Sequence, residues 1–540
     1  MQFISNSQQA NHNNDVIGST LSRRQLLQVA YASALLSFMR PVRAQIAQRL
    51  RFTREPFMLG IASGCPRPTS VVLWTRLAPE PAAADGLGGM PLQDVPVRWE
   101  IAKDEAFARK VMDGQVMALA SNAHAVHVQV NGLETGTTYY YRFIAGNAQS
   151  PTGRTRTAPA ASAQPAALQL ALASCQHYEG GFYPAWREVA RRDLDFVLFV
   201  GDYIYENNYG RQVRVRDHDS NEEVKTLAQY RNRYAHYRLD DDLKAAHAAH
   251  PWIVTWDDHE VQNDYANDRA QDLTPPQEFL QRRAAAYKAY FEHMPLAGAA
   301  APNESAMRLY DQYVFGDLLE LWTLDGRQYR SPQACPRPDR AGGSIITACS
   351  EREQPERTLL GTAQERWLMN GLRASQRGWK VLAQQTLMAS TSAITPLGRA
   401  YWSDGWDGYP AARERLLSHI ADHKIADVVS LGGDVHMHVA ADLKLDFTSD
   451  SSPVVASEFV CTSISSRGRD MTLWQPVLQS NPHLKHLRSD ERGYALLEFT
   501  PKGSLCTFRS TPHPARTDAQ LSTQAVYAVE RGKPGVQQLG

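Results

Sequence analysis

LQLALASCQHYEGGFYPAWREVARRDLDFVLFVGDYIYE, residues 168–206, is the stretch whose reading decides the fold. Leu168 to Ala173 and Leu194 to Val200 are apolar runs of strand length with no polar alternation, the pattern of strands buried on both faces. Between them Pro184 to Arg192 reads as a helix, with Pro184 at its start and Trp186, Val189 and Ala190 on one face. Strand, helix, strand is a βαβ unit, which sets its two strands parallel and side by side. Cys175 and Asp202 then stand at the same C-terminal edge, where the loops of an α/β sheet gather functional side chains.

Outward from this unit, the same arrangement recurs. Trp252 to Trp256 runs into Asp257-Asp258-His259-Glu260, and Val428 to Leu431 runs into Gly432-Gly433-Asp434-Val435-His436-Met437-His438. With Ser174-Cys175-Gln176-His177 and Gly201-Asp202-Tyr203-Ile204-Tyr205-Glu206, four strand ends carry acids, imidazoles or a thiol that can converge on one polynuclear metal centre. Leu318 to Leu324 and Lys380 to Gln384 read as later strands, with Gln364 to Ala374 as a helix between them. Gly493 to Thr500 and Ser504 to Arg509, around Pro501-Lys502-Gly503, predict a closing hairpin. Residues 513–540 are left as a C-terminal tail. Residues 205 to 300 are more helical and charged; Arg211, Arg214 and Arg216 share a loop that reads as a solvated face or as a lip toward substrate.

Before residue 168 the pattern changes. Ser70 to Leu77, Val95 to Ala102, His124 to Val130 and Tyr139 to Ala145 are short alternating segments separated by turns such as Asn131-Gly132 and Thr135-Gly136. They predict a β-sandwich over residues 54–157, and Ala158 to Ala167 reads as the linker out of it. Residues 130–143 resemble the late strands of fibronectin type III domains. Still earlier, Ser22-Arg23-Arg24-Gln25-Leu26-Leu27, a mostly apolar stretch to Met39 and Val42-Arg43-Ala44 resemble a twin-arginine export signal occupying residues 1–44. The apolar stretch is shorter than the roughly 20 residues that span a bilayer, and Gln28 interrupts it, which argues against a stable membrane anchor. The expected partner is the twin-arginine export machinery and the destination the periplasm or the exterior. That route carries folded proteins, often with a metal already seated.

Lysine plus arginine and aspartate plus glutamate both number 57. Without residues 1–44, which hold four arginines and one aspartate, 53 basic residues face 56 acidic ones, a formal charge of minus 3. Near-neutrality leaves no electrostatic footprint for nucleic acid or an anionic membrane. Six cysteines are too few for a disulfide scaffold. Cys335 and Cys349 bracket one Pro/Gly-rich loop that an oxidising compartment can close, whereas Cys65, Cys461 and Cys506 read as buried apolar residues.

The four loops, together with Asp325-Gly326-Arg327-Gln328-Tyr329-Arg330, resemble the alkaline phosphatase D (PhoD-like) family, a branch of the metallophosphoesterase superfamily. The resemblance extends from about Phe57 to Arg509. It implies an α/β fold, a layered metallophosphoesterase sandwich over residues 168–512, preceded by an all-β fibronectin/Ig-like domain. It also implies hydrolysis of phosphate mono- and diesters with Fe3+ and two Ca2+. By the same resemblance Cys175 replaces the superfamily's first carboxylate and Asp202 bridges the metals. Tyr205 is similar to the phenolate ligand of purple acid phosphatases. Asp258 is a ligand with Asp257 as its alternative, Asp434 goes to a hard ion, and His436 goes to iron. His259 would donate to the phosphoryl oxygens; Arg327 is either a clamp on substrate phosphate or a partner of Asp325. His177 and His438 are further candidates, each with a purely structural alternative. Many oxygen donors and few imidazoles favour iron with calcium over paired zinc. Two other readings remain open: a phosphodiesterase with little monoesterase activity, and a non-catalytic envelope binding protein.

Overall fold

The computed structural model describes residues 51–209 and 214–539; the export signal read at residues 1–44, and Arg211, lie outside them. The βαβ unit forms as its sequence dictates. Leu168–Ala173 and Phe196–Phe199 pair in parallel, Leu172 opposite Leu198, and Phe196–Phe199 pairs in parallel with Pro251–Val254. Side chains alternate between two apolar layers. Leu170, Leu172, Phe196 and Leu198 face a second sheet, while Ala171, Ala173, Val197 and Phe199 face helices that include Pro184–Val189 and Pro276–His293.

The second sheet has seven strands. Its centre, Leu319–Thr323, Trp379–Ala383, Val428–Gly432 and Val454–Val460, is parallel throughout. One face, with Leu321, Val381, Val429 and Phe459, meets the first sheet; the other, with Trp322, Leu382 and Val428, is covered by helices Thr362–Ala374 and Pro410–Asp422. Two sheets face to face between helical layers account for the central runs with no polar alternation. At their C-terminal edges the sheets touch: Ser174 forms a parallel bridge to Ser463. Gly433 lies so close to this seam that a Cβ there would stand 2.3 Å from the Ser174 hydroxyl.

At the N-terminal end the structure adds to the sequence reading, and at the C-terminal end it departs from it. The N-terminal region is all-β, but its strands are shared between sheets. Ile61–Arg67, Ser70–Arg76 and Ala125–Asn131 continue the first sheet beyond Pro251–Val254, whereas Val95–Ala102, Lys110–Ala118, Thr138–Ala145 and Gly153–Arg156 belong to a separate five-stranded sheet. Ser70–Arg76 is buried at every position, as befits an interior strand. Residues 513–540, read as a tail, instead supply Ser522–Glu530, which pairs along Gly503–Thr511, and the short strand Gln537–Gln538. The predicted hairpin is present as Arg492–Phe499 and Gly503–Thr511, inside the sheet and not at its edge. The physical reason lies in Tyr527 and Val529, which alternate with outward residues and enter the core between the sheets. Cys335 and Cys349 are joined in a disulfide, and Cys65, Cys461 and Cys506 are buried.

Tyr527 is 1% exposed and its hydroxyl donates to the Lys485 carbonyl at 3.0 Å. Truncating a buried aromatic of this kind costs about 3–5 kcal/mol. Tyr527→Ala is therefore expected to lower the denaturant midpoint by that equivalent; a change under about 0.5 kcal/mol, typical of a surface position, would mark residues 513–540 as a tail after all.

Candidate metal centre

Three of the four strand ends turn sharply. Cys175, Asp202, Asp434 and His436 adopt φ values of 58°, 60°, 64° and 55°, a left-handed conformation that ordinary residues seldom hold unless the surroundings over-determine it. Gly201, at φ 117°, precedes Asp202 because a Cβ there would sit 2.5 Å from that of Asp257.

The thiol of Cys175, a carboxylate oxygen of Asp202 and an imidazole nitrogen of His436 lie within 4.8 Å of one another. Asp202, Asp258 and His259 form a second such set, so Asp202 is common to both. The Tyr205 hydroxyl donates to Asp202 Oδ2 at 2.9 Å and lies 3.2 Å from His436 Nε2. His436 Nδ1 is 2.7 Å from the Arg467 carbonyl, which assigns the proton to Nδ1 and leaves the Nε2 lone pair facing inward. The Ser466 hydroxyl is 2.9 Å from the Cys175 carbonyl oxygen and 2.8 Å from the Tyr205 hydroxyl.

Asp434 belongs to neither set, although it is close enough to Arg327, Asp258 and Asp404 for their charges to act on it. Between the two adjacent acids the structure draws a distinction. Asp257 Oδ1 accepts from Arg327 Nε at 2.5 Å, whereas Asp258 joins Asp202 and His259 and is held through Oδ2 by the Asp264 N–H at 2.6 Å. His177 is buried with its ring stacked 3.8 Å from Tyr209, and His438 is buried against Phe508; neither joins a set.

Arg327 corrects the sequence reading. It is 1% exposed, and its guanidinium pairs with Asp257 and, at 2.9 Å, with Asp404, so its donors are committed inside the protein. Asp325 receives only its backbone N–H. Of the two described loop arginines, Arg216 pairs with Asp240 at 2.7 Å and lies over the Tyr178 ring, and Arg214 pairs with the exposed Asp217 at 2.7 Å.

Three acids went unrecognised in the sequence. Glu260 accepts backbone N–H groups of Asp202 at 3.2 Å, Tyr203 at 2.6 Å and Asp257 at 2.9 Å. Glu206 faces His259 Nδ1 at 2.6 Å and accepts the Asn263 N–H at 2.8 Å. Asp404 holds Arg327, Arg330 and Gln333. Glu206 and Glu260 end two of the quoted motifs, and that position was the available signal; Asp404 carried none.

The donor set fits cations. Burial, joined by neighbouring carboxylates and opposed by His259 at Asp202 and by Arg327 at the others, pushes Asp202 and Asp257 well above the usual carboxylate range and Asp434 and Asp264 up to about 7. Asp258 is held low, because Arg327 and His259 outweigh its burial, and Asp404 is lowered in the same way by Arg327 and Arg330. Burial and neighbouring Asp202 also raise the Cys175 thiol and the Tyr205 phenol well above their ordinary values, so each ionises only beside a cation. Asp202 Oδ1, Asp257 Oδ2 and Asp258 Oδ1 are buried without a hydrogen-bond partner among the described residues. Buried carboxylate oxygens of this kind are normally paired or bound to metal.

The family model described as "PhoD-like phosphatase" matches residues 170–508, and that of the "PhoD-like phosphatase, N-terminal domain" matches residues 43–159. The chain belongs to the PhoD-like phosphatase family. It is 43% identical over 533 residues to alkaline phosphatase D of Bacillus subtilis (strain 168), covering 96% of this chain and 90% of that protein. A solved PhoD structure superposes with a TM-score of 0.86 at 44% identity, over 91% of this chain and 93% of the other. The purple acid phosphatase PPD1 from yellow lupin (Lupinus luteus) shares the fold, with a TM-score of 0.53 at 12% identity over 87% and 74% of the two chains. This PhoD-like phosphatase is accordingly a phosphoric ester hydrolase.

Removing one partner of a buried charge network costs about 3–5 kcal/mol, because the remaining charges are left unpaired. Arg327→Ala is expected to lose stability on that scale in chemical denaturation. A variant of unchanged stability with raised KM would return Arg327 to the role of substrate clamp.

Proposed function

We propose that this PhoD-like phosphatase is an exported enzyme that cleaves phosphate mono- and diesters at a centre of one Fe3+ and two Ca2+. The supporting observation is Asp202, common to two donor sets of different chemistry. Cys175, Tyr205 and His436 would complete, with Asp202, a ferric site of thiolate, phenolate and imidazole. Asp258 and Asp434, together with Asp202, offer the hard oxygen donors that calcium takes. Such cations, when bound, supply Lewis-acid activation of water and offset charge on the phosphoryl oxygens.

The chain's own groups do the rest. His259 is the proton carrier: burial opposes its charge, but Glu206, Asp258 and Asp202 raise it well above the ordinary imidazole range. Glu206 engages Nδ1, which leaves Nε2 to donate to a phosphoryl oxygen or to the departing alkoxide. Arg327 is a positioning residue that fixes Asp257 and balances the acids behind Asp258. Export through the twin-arginine machinery rests on Arg23 and Arg24, and among the described residues no helix is long and apolar enough to cross a membrane.

Thiolate and phenolate bound to ferric iron absorb visible light, whereas zinc and calcium sites do not. The pure enzyme is expected to be coloured, with Tyr205→Phe shifting or bleaching the band. Mild chelation should remove activity before colour, and added calcium should restore turnover. Asp202→Asn should abolish hydrolysis of both an aryl monoester and a bis-aryl diester, assayed side by side. Activity on the diester alone in the unmodified enzyme selects the phosphodiesterase, and colourless, fully active zinc protein overturns the iron assignment.

Replacing both Arg23 and Arg24 by lysine is expected to retain the precursor in the cytoplasm, read by fractionation. Normal secretion of that variant removes the twin-arginine route.

A further inference from the structure

The loop after strand Val454–Val460 is built into the centre from several directions. Ser463 bridges Ser174, the N–H of Ile464 donates to the Ser174 carbonyl at 3.0 Å, and the Ser466 hydroxyl reaches both Cys175 and Tyr205. Arg467 comes next. Its carbonyl fastens His436, and its N–H is 3.2 Å from the Tyr209 hydroxyl oxygen. Its guanidinium lies 5.3 Å from the centroid of the Tyr209 ring, which itself stacks on His177. The backbone of Arg467 is therefore fixed beside the candidate ligands, while the side chain is exposed.

The buried arginines around the centre are spoken for. Arg327 and Arg330 hold Asp404, Arg233 holds Asp219, and Arg492 donates to Ser463 Oγ and to the carbonyls of Ser466 and His436. The Arg467 guanidinium enters no ion pair among the described residues, its one side-chain contact there being the Tyr209 ring. An exposed, uncommitted guanidinium on a rigid base is the geometry that recognises an anionic oxygen pair.

We infer that Arg467 is a specificity residue that contacts a second anionic group of the substrate, a carboxylate or further phosphate carried on the alcohol side of the scissile ester. The inference rests on the proposed reaction at this centre. The scissile phosphoryl group would have its own partners in His259 and the cations that the acids would hold, whereas the exposed Arg467 guanidinium is free to neutralise a charge on the alcohol portion. Esters with an anionic alcohol portion are thus favoured over neutral ones by capture, not by chemistry.

The test compares 4-carboxyphenyl phosphate with 4-nitrophenyl phosphate in the metal-loaded enzyme and in Arg467→Ala and Arg467→Lys, with metal content measured in each. A charge-assisted contact of this kind corresponds to roughly a tenfold change in kcat/KM. Arg467→Ala is expected to lower kcat/KM for the carboxylated ester about tenfold more than for the nitro ester, chiefly through KM, and Arg467→Lys to restore part of the difference. Taking the ratio within each enzyme cancels the different leaving-group chemistry. Equal losses on both esters, or loss of metal in Arg467→Ala, overturn the inference. Failure of the unmodified enzyme on both esters overturns the proposed function instead.

Discussion

Glu260 accepts backbone N–H groups from Asp202, Tyr203 and Asp257, and on that contact the arrangement of the centre depends. The three donors belong to loops after two neighbouring parallel strands, Phe196–Phe199 and Pro251–Val254. One carboxylate thereby sets the spacing between the loop that presents Asp202 and the loop that presents Asp258. Its position among like charges is costly, and burial raises Glu260 to about 7. The three N–H bonds oppose that shift, so the backbone stabilises the same charge that organises it. An amide in its place would keep one oxygen for three donors.

Strain is distributed on the same plan. Cys175, Asp202, Asp434 and His436 all adopt positive φ, and each stands just beyond a strand that is nearly or wholly buried. A strand that simply continued would send alternate side chains to opposite faces of the sheet. Reversal of the backbone at the strand end aims side chains across the seam between the sheets, and the hydrogen bonds of Ser466, Glu260 and Arg467 hold that reversal in place. Left-handed residues of this type cost of order 1–3 kcal/mol each, a cost offset by the packed core behind them.

The interior of the fold was largely legible because buried parallel strands write themselves as apolar runs. Leu168–Ala173, Phe196–Phe199 and Val428–Gly432 were readable at once, and the residues beyond them fell where loops of parallel strands must meet. The ends were harder for a physical reason. Ile61–Arg67 and Ser70–Arg76 have the length and turn spacing of sandwich strands, and nothing local says that Ile61–Arg67 pairs with Pro251–Val254, about 190 residues away. Ser522–Glu530 carries a short alternating pattern after a polar, Pro-containing stretch, and its apolar payload is only Val526, Tyr527 and Val529. At the centre, Cys175, Asp202, Tyr205 and His436 come together while Asp434 stands outside both donor sets. Arg327 was misjudged because an arginine in a motif says nothing about whether Asp257 and Asp404 already claim it.

The arginines near the centre fall into two kinds. A guanidinium cannot shed its charge, so each one near a cluster of acids either answers a buried carboxylate or remains available to an anion from outside. Arg327 answers Asp257 and Asp404, with Asp258 3.7 Å away, and without it these acids would repel one another or take up protons. It thereby keeps Asp258 ionised for its place beside Asp202 and His259. Arg467 contributes to the centre only through its backbone, by fastening His436, and its charge is left over for a ligand. One arginine stabilises the cage and the other selects what approaches it, and the difference is set by whether a carboxylate shares its burial.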